Sequence, residues 1–193
     1  MKSMFWIVAV VATVALAGEA TAQSRWSMEF RAGGAAPTEQ LGGADLDVGM
    51  GLEVTGAYRL QPHLHLYGGW GWHDFHADDS FAGADVDVEQ TGYAYGLRFE
   101  HPFTESSELA YRIHFGGTYE HLEIEAGESR VANTEHGVGW EAGTSLIVPM
   151  GTAWRLTPGV SYRSLSRDIV IGTATTEADL RYVLFDVGLV RRF

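Results

Sequence analysis

A chain of 193 residues with net charge −12 and pI near 5.0 has no stripe of Lys and Arg to hold a phosphate backbone, which excludes nucleic acid as a partner. It contains no cysteine, so neither a disulfide framework nor a thiolate metal site is available. Its 24 glycines, 12% aromatic residues and near-zero mean hydropathy suit strands that are apolar on one face and polar on the other better than a helical domain.

In chain order, Lys2 is followed by an apolar run from Met4 to Ala17 and by the small residues Ala20, Thr21 and Ala22. This is a secretory signal with an A-x-A site, expected to be cut after Ala22. The apolar stretch is shorter than the roughly 20 residues of a spanning helix. Residues 1–22 are therefore expected to be a cleaved signal peptide, and residues 23–193 one domain.

From Trp26 the chain alternates with period two, the signature of a strand. Trp26, Met28, Phe30 and Ala32 share one face and Ser27, Glu29, Arg31 and Gly33 the other. A second run sets Val48, Met50, Leu52, Val54, Tyr58 and Leu60 against Gly49, Gly51, Glu53, Thr55, Ala57 and Arg59. Further runs begin at Leu64, Gly92, Leu109, Val138 and Trp154, the last with Pro158 inside it, where a ladder hydrogen bond is lost. In the eighth, Val183, Phe185, Val187 and Leu189 oppose Asp186, Gly188 and Arg192, but Tyr182, Leu184 and Val190 make its second face apolar too.

The connections alternate in length. Short links carry proline, at 61–63, after 101 and at 149–152, while the longer links at 36–47, 76–87, 125–135 and 166–178 are read as acidic loops. Short turns at one end and long loops at the other are the arrangement of outer-membrane barrels. Alternation alone fits a soluble barrel equally well. The tie is broken by a polar face rich in Gly, Ala, Ser and Thr, by Trp and Tyr towards strand ends, and by a chain that stops on an aromatic residue.

The terminus Gly188, Leu189, Val190, Arg191, Arg192, Phe193, together with the pattern over most of the chain, resembles the small eight-stranded outer-membrane barrels of the OmpA transmembrane domain and OmpX type. Arg191 stands where that group usually has an aromatic. The resemblance implies an all-β, eight-stranded antiparallel up-and-down transmembrane barrel, a monomer in outer-membrane lipid and lipopolysaccharide. It makes Phe193 part of the signal read by the barrel-assembly machinery.

With the polar face inward, Glu53, Glu141, Asp186 and His114 are expected near mid-barrel, and Arg98, Arg112 and Arg155, with Arg59, nearer the turn end. Opposite charges there should pair, because isolated buried ions are expensive. A packing network is one reading and a gate for small ions the other, although eight strands leave an interior just filled by side chains. No catalytic residue is assigned: the eight histidines include no His-x-Ser pairing on one strand face, which lipid A deacylases of this architecture carry. The run from His73 to Asp79, with Asp85, Asp87 and Glu89, invites a calcium reading, but residues three apart on a strand face opposite ways. A solvated acidic loop tip is preferred, with no metal and no cofactor. The expected function is non-enzymatic, in envelope structure or in surface interaction with a ligand held by the loops. A small-solute pore and a lipid A-modifying hydrolase are the alternatives.

Overall fold

Alternating residues become nine strands in the computed structural model, which describes residues 25–80, 83–126, 129–171 and 174–193. The expected signal peptide lies outside these residues. The strands are β1 (Trp26–Pro37), β2 (Gly49–Gln61), β3 (Leu64–Ser80), β4 (Gly83–Pro102), β5 (Ala110–Ala126), β6 (Ser129–Asn133), β7 (Gly137–Met150), β8 (Trp154–Ile171) and β9 (Ala174–Arg192). All neighbours are antiparallel, and β9 pairs with β1 through Val187↔Ala32, so the sheet closes on itself. Short β6 and longer β7 pair in turn with β5 and share one position in the wall. The result is a closed eight-stranded barrel.

Register follows the pleat. Phe30, Leu52, Leu66, Leu97, Phe115, Phe185, Val187 and Leu189 stand exposed on the outside, while their sequence neighbours Arg31, Glu53, His65, Arg98, His114 and Asp186 are buried inside. In β9, Tyr182, Leu184 and Val190 point inward with Asp186, which settles the strand whose two faces are both apolar. Pro158 does not break the wall. The β7–β8 ladder is interrupted between Ser145↔Gly159 and Val148↔Leu156, whereas Pro158 keeps its place opposite Val187 on β9.

Three of the four expected loops are strand. The β3–β4 ladder runs up to Ser80↔Gly83, β8–β9 up to Ile171↔Ala174, and β5–β6 up to Ala126↔Ser129. The physical reason is an inversion of polarity along the barrel. At this loop end the outward positions are His76, Asp78 and Asp87, and the inward ones are Phe75, Ala77, Val86 and Val88, all 2% exposed or less. Above an apolar belt the outer face meets water, so the oil moves inside. Acidic residues at every second position then read as a loop although the period of two continues.

The fourth, between β1 and β2, is irregular and folds over the barrel mouth. Gly42 and Gly43 have φ of 57° and 88°, the double positive-φ turn that glycine permits, and Leu41 and Ala44 exchange both backbone hydrogen bonds across it. This turn drives Leu41 and Ala44 inward, with 1% and 3% exposure. Leu41 joins Ala35, Phe75, Ala77, Val86, Val88, Leu122, Ile124, Leu165, Leu180, Tyr182 and Leu184 in an apolar plug, against which Leu46 packs. Thr38 N donates to Arg181 O at 2.8 Å, and Asp47 N to His76 O at 2.8 Å, tying the segment to β9 and β3.

Candidate functional site

The interior below the plug is the candidate site. Glycine makes room for it: a Cβ on Gly188 would lie 2.3 Å from Thr157 Oγ1 and 2.7 Å from Glu29 Oε1, and one on Gly143 2.5 Å from His114 Cε1. The space left by these residues is filled with long charged side chains.

Nearest the turn end, Glu100 meets Arg192 at 2.8 Å and Arg112 at 2.9 Å, with His65 at 3.7 Å. Above it, Glu29 lies 2.7 Å from both Arg98 and Arg112 and accepts a hydrogen bond from Thr157 Oγ1 at 2.7 Å. Arg98 also donates to Thr55 at 3.0 Å and lies 4.3 Å from the centre of the Tyr67 ring. The next layer is built on Arg31 and Arg163. Arg31 reaches Glu53 at 2.6 Å and Asp186 at 3.6 Å. Arg163 reaches Glu53 at 2.5 Å, Glu120 at 3.1 Å and Glu141, whose other oxygen accepts the Tyr67 hydroxyl. Gln90 donates to Glu120 at 2.6 Å, and His73 and Tyr182, rings 5.4 Å apart, separate this layer from the plug.

Charge nearly balances in this column. Glu29, Glu53, Glu100, Glu120, Glu141 and Asp186 stand against Arg31, Arg98, Arg112, Arg163 and Arg192. Each of these five arginines has a carboxylate within 4 Å, as ions taken out of water require. Chemically the column can cross-link strands far apart in sequence. Arg112 of β5 holds Glu29 of β1, and Arg163 of β8 holds Glu53 of β2, ties across the lumen that no ladder supplies.

Of the residues singled out in the sequence, Glu53, Arg98, Arg112, Glu141 and Asp186 come together here. His114 is buried beside them, edge-on to Tyr67 at 6.1 Å, without an ion pair among the described residues. Arg155 stands apart from these paired residues. It lies at the turn-end mouth, in the same hollow as Glu100, with no carboxylate within 4 Å among the described residues. Phe193 donates its backbone N–H to Trp26 O at 3.2 Å, and Arg191 lies over its ring at 5.4 Å and over that of Trp154 at 5.5 Å.

Sequence reasoning passed over Glu29, Arg31, Glu100, Glu120, Arg163 and Tyr67 as network members. Each occupies an inward position of its strand, so period two alone selects them all. The acidic run of β3 and β4 does not gather on one face: His73 points inward, and His76 points outward to Asp87 at 2.9 Å. The side chains of Asp79 and Asp85 lie outside the described residues. Among the described residues no group of three or more His, Asp or Glu is placed to hold a metal.

No curated protein matches the chain. Among solved structures, Neisserial surface protein A is 13% identical, with 88% of this chain and 98% of that one covered at a TM-score of 0.65. The outer membrane protein OprG from Pseudomonas aeruginosa is 13% identical, with 91% and 99% covered at 0.61. The outer membrane protein AlkL is 15% identical, with 92% and 93% covered at 0.54. At such identities the likeness shows the fold. The family model of the outer membrane protein beta-barrel domain matches residues 6–193, and with its closed eight-stranded wall, exposed apolar belt and charged interior the chain belongs to this family of bacterial outer-membrane barrels.

Proposed function

We propose that this protein is a non-enzymatic, non-conducting barrel that serves the envelope as a rigid membrane element and offers its capped loop end to partners at the cell surface. The observation that carries the reading is the filled lumen. A column of paired charges occupies the lower and middle barrel, and an apolar plug sealed by the Leu41–Ala44 turn occupies the loop end. Opening a path for a solute requires separating buried ion pairs and unpacking the plug together. The protein is exported by cleavage after Ala22, recognised by the assembly machinery through the strand ending in Phe193, and stays a monomer amid lipid and lipopolysaccharide. In this family short turns face the periplasm and the loop end faces outward.

Planar bilayers test the reading directly. The folded protein is expected to leave the membrane silent, and liposomes carrying it should not swell in small sugars. Stable, reproducible channel steps from wild-type protein would overturn it in favour of a small-solute pore.

A further inference from the structure

Where β1 begins and β9 ends, the periplasmic mouth holds a cavity of about 240 Å³ whose wall includes Arg25, Arg59, Arg155, Arg192, His63 and His65. Four of the chain's 13 Lys and Arg residues therefore line one hollow in a protein of net charge −12. Their situation differs from that of the arginines deeper in the barrel. Arg192 is held by Glu100 at 2.8 Å, but Arg25, Arg59 and Arg155 have no carboxylate within 4 Å among the described residues. The Arg25 guanidinium donates to the Tyr58 hydroxyl at 3.4 Å. One terminal nitrogen of Arg155, Nη1, is buried and has no hydrogen-bond partner among the described residues. Glu108, the remaining carboxylate on the wall, forms no ion pair with any of them.

We propose that this mouth is a binding site for a phosphate group. Four guanidinium groups gathered in a recess that holds two carboxylates, Glu100 and Glu108, are left with excess positive charge, and a multiply charged anion offsets it. Each guanidinium presents a planar fork of N–H donors that matches phosphate oxygens two at a time. His63 and His101, rings 4.7 Å apart on the same wall, add ring donors. The floor is closed by Arg112, Glu100 and Arg192, so the anion rests in the mouth and does not enter the lumen. The phosphate comes either from an inner-leaflet lipid headgroup, level with this rim, or from a soluble periplasmic phosphate compound.

The full-length mature protein, folded in an uncharged detergent, is titrated calorimetrically with inorganic phosphate and with pyrophosphate. In parallel, native mass spectrometry measures retention of phosphatidic acid and phosphatidylglycerol against a neutral diacylglycerol. Saturable binding in the first arm identifies a soluble ligand. Selective retention of the phospholipids alone identifies a headgroup. In either case the double variant Arg59→Gln, Arg155→Gln is expected to lose at least about tenfold in affinity, and Glu108→Gln, which removes a negative charge from the wall, to bind more tightly. Both variants spare the interior ion pairs, and the heat-shifted gel mobility of a folded barrel verifies that they fold. No saturable binding in either arm, or unchanged affinity in the double variant, overturns the proposal. A conducting barrel would overturn the closed-lumen reading and leave this measurement unaffected.

Discussion

Arg163 is the residue on which the interior most depends. It faces Glu53, Glu120 and Glu141 together, and truncating it leaves three carboxylates in a space with no other cation close enough to serve all of them. Arg163→Ala is expected to destabilise the barrel by about 3–5 kcal/mol, the usual effect of breaking a buried pair from one side. The check is the urea midpoint of unfolding in detergent, and an unchanged midpoint would show that the column is ornamental. Arg163→Met with Glu53→Gln and Glu141→Gln should recover part of the loss, since neutral groups of similar size need less compensation. At this scale the sequence was legible in one respect: alternation identified the inward residues. It gave no indication of which of them would meet across the lumen, because Arg163 and Glu53 are 110 positions apart and belong to strands that never pair. Arg155 looks the same as Arg98 in sequence, an arginine on a polar face, yet one is unpaired at the rim and the other locked onto Glu29.

Among the elements, the β3–β4 hairpin and the β1–β2 connection show where a polarity pattern misleads. A strand that leaves a bilayer keeps its period and reverses its faces, so His76, Asp78 and Asp87 look like loop while Phe75, Val86 and Val88 hold the plug. These ladders are expected to exchange their amide hydrogens slowly nearly to their tips, and fast exchange throughout 74–80 would contradict the extended hairpin. The β1–β2 connection depends on its two glycines. Gly43→Val forces a branched side chain to φ of 88° and is expected to cost about 1–2 kcal/mol locally, while Leu41→Asp places a charge in an apolar core. Both should raise proteolysis between Pro37 and Gly49 while leaving the heat-shifted gel mobility of the barrel intact. Loss of that mobility would mean that the cap is needed for folding of the wall itself.

For the whole molecule, the arrangement is a stack: an arginine-lined mouth, a balanced column, an apolar plug and an acidic outer rim. A protein built this way should fractionate with outer membranes and migrate differently before and after boiling, and recovery in the soluble fraction would be incompatible with its exposed apolar belt. The amino-acid sequence by itself determined the strand period, the side that turns inward in every strand with one apolar face, and the short proline-bearing turns at one end of the wall. These are local properties, fixed by the two-residue repeat of the pleat and by turn chemistry. Tertiary structure alone decided the rest. Closure of β9 onto β1 brings distant charges to common heights, the rise of the wall past the apolar belt turns acidic runs into strand, and four arginines scattered between positions 25 and 192 become one cluster. A chain with no basic stripe along its length acquires one basic recess in space, because a barrel gathers at its rim what the sequence disperses.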